Sequence, residues 1–278
     1  MQQIAIISSS KDHAGINIRN NLIELPGFEE SGEKFEGTSV YQYNKIPNKT
    51  IKLYLTSQDL IFAENIDRKI NADIFIFASK HRSKENTKSF AVHPIGNWGK
   101  ADFGGEEGKL CFSSAVLLKN LFLELNNAAK DTSFEITMEA THHGPYIEKP
   151  AVFVEIGSTE KEWNDNLNGK VIADTIMNSL KNENKNYKIA VGIGGLHYCN
   201  NFNKIVLKTG TAFSHICPKH LLGKLDEILI KQAIEKTSER VDFILLDWKG
   251  LGTEKQRIID LLKNLNLEVK RTDKILRD

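Results

Sequence analysis

Short apolar runs built from β-branched and aromatic residues alternate along this chain with longer segments whose apolar residues recur every 3.6 positions. That alternation restricts the fold more than any other feature. Runs at 4–7, 51–55, 74–78, 151–156, 189–191 and 243–246 read as buried strands. Segments 14–25, 113–129, 160–180, 218–236 and 254–265 carry the helical period. Thr159 with Glu162 makes a capping-box pattern, Pro218 suits a first helical turn, and Thr253 can cap the last helix. Strands alternating with long helices predict an α/β fold, three layers deep, with a largely parallel or mixed sheet.

A chain of 278 residues buries roughly three quarters of its unfolded surface, so it needs no disulfides or metal to be stable. The reading is one domain spanning residues 1–278, or two intimately packed lobes. Basic (37) and acidic (36) residues cancel to +1, which excludes a global field drawing the protein to nucleic acid or anionic lipid. Any nucleic-acid contact must be local. Lys80-His81-Arg82-Ser83-Lys84 with Lys88 is the best candidate, weighed against an ordinary solvated loop. Cys111, Cys199 and Cys217 are too scattered for a disulfide framework and fit a reducing cytoplasm. No signal-peptide pattern and no run of about 18 apolar residues is present, so a cytoplasmic, monomeric protein without membrane association is expected.

One stretch resists the scheme. Residues 80–110 show little periodicity but hold Gly96, Gly99, Gly104, Gly105 and Gly108; a loop this long in a compact fold is more often functional than idle. It contains His93-Pro94-Ile95-Gly96-Asn97-Trp98-Gly99. His93 there suits a general base, a metal ligand or a hydrogen-bonded structural residue. Asn97 offers a donor for an oxyanion or an ordinary turn amide. Trp98 offers a nucleobase platform or a buried anchor.

A second motif follows the strand-like segment 134–138: Glu139-Ala140-Thr141-His142-His143-Gly144-Pro145. A carboxylate beside two imidazoles suggests metal. On an extended chain His142 and His143 would point to opposite faces, one to an ion and the other acting as base or supporting group. The spacing matches neither HExxH nor a CxxC knuckle. Glu155 ends the strand at 151–156, and Gly157-Ser158-Thr159 then opens a helix. Gly192-Ile193-Gly194-Gly195-Leu196-His197-Tyr198 is not a dinucleotide fingerprint, because no acidic partner follows about 20 residues on. It reads as a third loop at the same sheet edge. His215 precedes another helix start, where Lys219 could reach an anion. No serine or cysteine sits in a nucleophile motif, so water-dependent hydrolysis is more economical than covalent catalysis.

These motifs together, with Phe77-Ala78-Ser79-Lys80-His81, Val154-Glu155-Ile156-Gly157-Ser158-Thr159 and Trp163, resemble the archaeal-type D-aminoacyl-tRNA deacylases, a family also found in plants. The resemblance runs nearly end to end. It implies a fold similar to peptidyl-tRNA hydrolase and the nucleoside phosphorylases, zinc as cofactor, charged tRNA as partner, and hydrolysis of the ester joining a D-amino acid to the tRNA 3′ ribose. Under that reading His93, Asn97, His142 and His143 are the catalytic candidates. Glu139, His142, Glu155, His197 and His215 are the metal candidates. Substrate contacts are expected from Lys80, Arg82, Lys84, Trp98 and Lys219, with loop amides at Gly104, Gly105, Gly194 and Gly195 available to an oxyanion. A zinc-dependent peptidase or amidohydrolase is the competing enzyme reading; a tRNA-binding module without catalysis is the competing non-enzymatic one.

Overall fold

The computed structural model of the chain describes residues 1–83, 85–182 and 186–276. In chain order the elements are β1 (Gln2–Ser9), α1 (His13–Glu24), β2 (Glu29–Phe35), β3 (Thr38–Tyr43), β4 (Lys49–Thr56), α2 (Ile66–Lys69), β5 (Ile74–His81) and β6 (Ser89–Pro94). Then come α3 (Ala115–Ala128), β7 (Glu135–Met138), β8 (Ala151–Gly157), α4 (Glu160–Asn164), α5 (Asn166–Lys181), β9 (Lys188–Ile193), α6 (Asn200–Lys208) and β10 (Thr211–Cys217). The chain closes with α7 (Glu227–Glu235), β11 (Phe243–Leu246), α8 (Lys255–Leu262), β12 (Glu268–Arg271) and α9 (Thr272–Ile275).

Among the described residues the strands form two sheets. The larger is mixed and eight-stranded, in the order β2-β3-β4-β1-β5-β8-β6-β7; the smaller has four strands, β10-β9-β11-β12. Strands β4, β1, β5 and β8 run parallel to one another, β6 is antiparallel to β8, and β7 runs parallel to β6. The smaller sheet is all parallel. Every residue of β6, β8 and β10 is buried, as expected of strands covered on both faces.

Packing follows from those faces. Ile18 and Leu22 of α1 and Ile172 and Ile176 of α5 lie over Ile4, Ile6, Ile76 and Val154, while Phe75, Phe77 and Phe153 on the reverse face meet Leu60, Ala63 and Ile66. Helix α3 packs against β6 and β7 of one sheet and β10 of the other. One continuous core therefore passes between the sheets, joining Leu118, Leu121 and Phe122 to Ala190, Phe213 and Leu245. The far face of the smaller sheet is closed by Leu229, Ile230 and Ala233 of α7 and Ile258 and Leu262 of α8.

The mixed α/β layering agrees with the sequence pattern, but several elements differ from it. The helix expected over 160–180 is two, because Asp165 caps a new start by accepting from the Leu167 amide at 3.0 Å. The segment 218–236 begins as a 3-10 turn (Lys219–Lys224), and α7 starts only where Asp226 accepts from the Leu229 amide at 2.8 Å. A side-chain cap contributes about 1 kcal/mol, enough to fix where a short helix begins. The long loop over 80–110 is interrupted by β6, and the hairpin β2–β3 and strand β12 were not signalled by apolar runs.

Candidate active site

Strand register brings the chemical groups to one sheet edge. Glu155 of β8 lies opposite Ser79 of β5 and Ala91 of β6, with His81 ending β5 two positions further on. His93, two residues along β6, lies opposite Phe153, and the two rings stack at 5.1 Å. Glu139 extends the β7 ladder, its amide donating to the Val92 carbonyl at 2.9 Å. The chain then crosses to the smaller sheet: the Ala140 amide donates to the His197 carbonyl at 2.9 Å and the Thr141 amide to Ile216 at 3.0 Å. Thus the loop after β9 delivers His197 to residues supplied by the larger sheet.

Turning the chain at 93–99 requires Gly96. Its φ is +143°, and a Cβ there would stand 2.6 Å from the Leu110 Cα. The Gly96 amide donates to the His143 carbonyl at 2.9 Å, tying the 93–99 loop to the 139–145 loop. His143 itself is left-handed, with φ +42°. That backbone overturns the expectation that His142 and His143 diverge, since the chain is not extended there. Their rings lie 4.3 Å apart, and each reaches the ring of His93, at 4.0 and 4.8 Å respectively.

Three groups of metal-capable donor atoms result, each spanning no more than 4.8 Å: His93 with His142 and His143; Glu139 with His142 and His197; His81 with Glu139 and Glu155. Glu139 is fully buried and joins two of them. Its Oε1 lies 3.6 Å from His81 Nδ1, and its Oε2 lies 3.5 and 3.7 Å from the Nε2 atoms of His197 and His142. Glu155 Oε2 lies 3.3 Å from His81 Nδ1 and 3.7 Å from His93 Nε2. Both Glu139 oxygens and His93 Nε2 are buried without a hydrogen-bond partner. A buried carboxylate left this way costs several kcal/mol, a cost a cation would remove.

Hydrogen bonding sets the tautomers. Nδ1 of His93, His142 and His143 faces the carbonyls of Pro94, Ala140 and Gly144 at 3.1, 2.8 and 2.7 Å. A carbonyl only accepts, so each Nδ1 carries the proton and each Nε2 keeps its lone pair, the form a metal ligand or base requires. Burial, reinforced by the neighbouring imidazoles, drives His142 far below the ordinary histidine range and His143 down to about 3. For His81 burial pulls downward, but the bond to Glu155 and the charges of both carboxylates outweigh it and lift the ring to about 9. Glu155, despite its burial, is held well below the carboxylate range, first by its hydrogen bond with His81.

A cavity of about 520 Å³ opens onto these groups, lined by His81, His142, His143, Glu155 and His197, with Lys80 and Arg82 beside them and Leu60, Ile61, Phe62 and Phe103 also in its wall. In the sequence His81 stands within a basic run, and its place at the end of a buried strand is the signal that sets it apart. Glu64, absent from any motif, accepts from the Gly105 and Tyr146 amides at 2.7 Å each and so holds the two histidine loops together.

Other expected site residues lie elsewhere. Trp98 is 1% exposed and donates to the Ile216 carbonyl at 3.2 Å, so it anchors the loop and has no free face for a base. The Asn97 amide nitrogen donates to the carbonyls of Gly104 (2.9 Å) and Glu106 (3.3 Å), which leaves it no part in an oxyanion site. The Gly105 amide is taken by Glu64 and the Gly194 amide by the Cys217 carbonyl, at 2.8 Å. Gly104 packs on Ile61, and Gly195 packs beside Asp247. His215 is enclosed within β10, with Nδ1 3.3 Å from the Thr141 hydroxyl, and belongs to none of the three donor groups. Lys219 is exposed and outside the cavity wall, and Lys84 lies outside the described residues.

The sequence profile described as D-aminoacyl-tRNA deacylase matches residues 68–270. The chain belongs to the D-aminoacyl-tRNA deacylase family. It is 39% identical over 272 residues to the D-aminoacyl-tRNA deacylase of Thermococcus kodakarensis, covering 95% of this chain and 97% of that one. The deacylases of Pyrococcus furiosus and Archaeoglobus fulgidus are 36% and 34% identical, the latter over 98% of both chains. A crystal structure of a conserved protein of unknown function shares the fold at a TM-score of 0.90 and 33% identity, covering 100% of this chain and 98% of that one. Within this deacylase family the histidine–carboxylate cluster is the candidate catalytic centre. No described helix is long and apolar enough to cross a membrane.

Proposed function

We propose that the cavity hydrolyses the ester joining a D-amino acid to the 3′ ribose of tRNA, releasing the amino acid and free tRNA, and that the cluster holds zinc. The observation that carries this reading is the clustering, in a chain of the deacylase family, of five imidazoles and two buried carboxylates, with His81, His142, His143, His197 and Glu155 lining one cavity and His93 and Glu139 behind them. Glu139, His142 and His197 are the most complete ligand set, since neither Glu139 oxygen has a hydrogen-bond partner and His142 presents a bare Nε2. When bound, zinc polarises an ester carbonyl and acidifies water.

The remaining chemistry falls to the chain. Water adds to the ester carbonyl carbon, and its proton passes to the free Nε2 of His143, which burial makes a weak base but keeps unprotonated and so open to accept at neutral pH. The bond from carbonyl carbon to ribose oxygen then breaks. His81, protonated to about pH 9 and in the cavity wall, donates to the departing oxygen, while Glu155 at 3.3 Å holds it in place. Lys80 and Arg82 meet the phosphates of the acceptor end, steadied over the Trp163 ring at 6.0 and 5.3 Å. A cytoplasmic location belongs to this reading, in keeping with three free cysteines.

The test is direct. Purified protein is assayed on D-tyrosyl-tRNA, L-tyrosyl-tRNA and small D-amino acid esters and peptides. Hydrolysis of the D-charged tRNA is expected; cleavage of peptides with none of charged tRNA would overturn the proposal in favour of a peptidase.

A further inference from the structure

Of the fourteen phenylalanines in the sequence, two are more than half exposed, Phe62 at 53% and Phe103 at 67%, and both stand in the wall of the catalytic cavity. Neither ring stacks on another among the described residues. An exposed aromatic ring forgoes the stabilisation of burial, and to find both at one cavity mouth calls for an occupant.

The backbone places them deliberately close to the chemistry. Phe103 accepts through its carbonyl from the Gly144 amide at 3.0 Å, one residue from His143. Phe62 follows Ile61, whose carbonyl lies so near Gly104 that a Cβ there would be 1.7 Å away, and the same imagined atom would stand 3.2 Å from Phe62 Cδ1. Gly104 at φ +75° and Gly144 thus let the 60–62 turn, the 103–105 loop and the His143 turn come together. The segments that carry both rings are therefore packed on the turn that carries His143.

Resting on the deacylase reading, we propose that Phe62 and Phe103 form the platform on which the terminal nucleobase of the tRNA stacks. In an aminoacyl-tRNA the ester and the terminal base hang from the same ribose. If the ester is at the histidines, the base falls one sugar ring away, toward the exposed wall of the cavity where Phe62 and Phe103 stand rather than toward its buried groups. The amino-acid side chain begins two bonds from the ester carbon and stays deeper. Open rings on loop tips suit a base, which offers a flat face to stack. Lys80 and Arg82 in the same cavity serve the phosphate attached to that ribose.

The experiment compares D-tyrosyl-tRNA with the same tRNA carrying an abasic terminal ribose, which keeps the ester and removes the base. Wild type, Phe62→Leu, Phe103→Leu, the double Leu variant and Phe103→Tyr are measured in steady state, and wild type and the double variant also with D-alanyl-tRNA. With wild type, loss of the base raises KM roughly ten- to hundred-fold with kcat nearly held. The double Leu variant raises KM as much on the intact substrate and loses less than about twofold more on the abasic one, while Phe103→Tyr keeps wild-type KM. Penalties that multiply independently would place the base elsewhere. A Leu penalty that appears with D-tyrosyl but not D-alanyl substrate would assign the lips to the amino acid and overturn the proposal, as would unchanged KM in the double variant. Failure of wild type to hydrolyse the intact D-charged tRNA sinks the deacylase reading itself, a result separate from these.

Discussion

Glu64 offers the sharpest test of how the site is held. Its two carboxylate oxygens each accept one backbone amide at 2.7 Å, from Gly105 on the loop that follows 93–99 and from Tyr146 after the 139–145 loop. Glu64→Gln keeps the size of the side chain but replaces one acceptor by an NH₂ that faces an amide donor. One charge-assisted bond is lost, and a partly buried N–H is left without a partner. Hydrogen bonds to a charged group contribute about 1.5–3 kcal/mol, and partial solvent access favours the lower half, so about 2 kcal/mol is expected. For a chain of this length that lowers Tm by about 4 °C. Activity should fall further than stability explains, because Gly105 and Gly144 pack directly on each other and His143 precedes Gly144. A shift of about 1 Å at the imidazoles costs on the order of a hundredfold in kcat. Thermal melts and single-turnover deacylation of D-tyrosyl-tRNA, measured well below Tm, separate the two effects. A lowered Tm with wild-type kcat would refute the positioning role; an unchanged Tm would refute the bond itself.

Three further outcomes are expected. Glu139→Gln removes the charge that joins two donor groups, so zinc retained after dialysis, read by elemental analysis, should drop at least tenfold; full metal content in the folded variant would move the centre away from Glu139. Lys80→Ala with Arg82→Ala should weaken tRNA binding at low salt and reduce the log–log salt slope by roughly 1.4, about 0.7 for each single-stranded phosphate lost; an unchanged slope would show that neither side chain meets a phosphate. Burial pushes the Glu162 carboxyl up, but hydrogen bonds from Thr159 and the charge of Lys88 outweigh it and leave it below its ordinary range. A group depressed in the folded state stabilises above its unfolded pKa and loses that contribution as pH falls. Glu162→Gln should therefore be less stable than wild type at pH 7 and converge on it below about pH 4, seen in urea melts across pH.

Much of the fold was legible because buried strands announce themselves by composition. Residues 74–78 and 151–156 needed only their apolar runs, and both became neighbours at the sheet centre. The hairpin β2–β3 was not legible: Glu29–Phe35 is almost wholly solvated, so no apolar run or alternation marks it. Strand β6 offered only Phe90-Ala91-Val92, a run too short to stand out between glycine-rich loops, although all six of its residues are buried. Nor does sequence separate the two sheets. Strands β8 and β9 have the same character, and pairing depends on which partners the helices present.

In open α/β sheets chemical groups gather just beyond strand ends. Glu139, His142 and His197 lie there, and what separates His81 from His215 is the position of the last ladder residue. His81 is the final residue of β5, paired with Gly157, and so turns toward the cavity. His215 looked equally terminal, but β10 runs on to Cys217 through a register shift between Phe213 and Ile216, which keeps the ring inside, near Trp98. Its burial holds it down to about 4, so it is neutral at physiological pH and acts as a packed polar residue between the sheets. Because Thr141 bonds both to His215 and to the Ile216 amide, the loop bearing His142 is fixed to the smaller sheet while Glu139 is fixed to the larger. The donors at Glu139 and His197 thus come from different sheets, and what sets their separation is the shared core under α3 rather than any local motif.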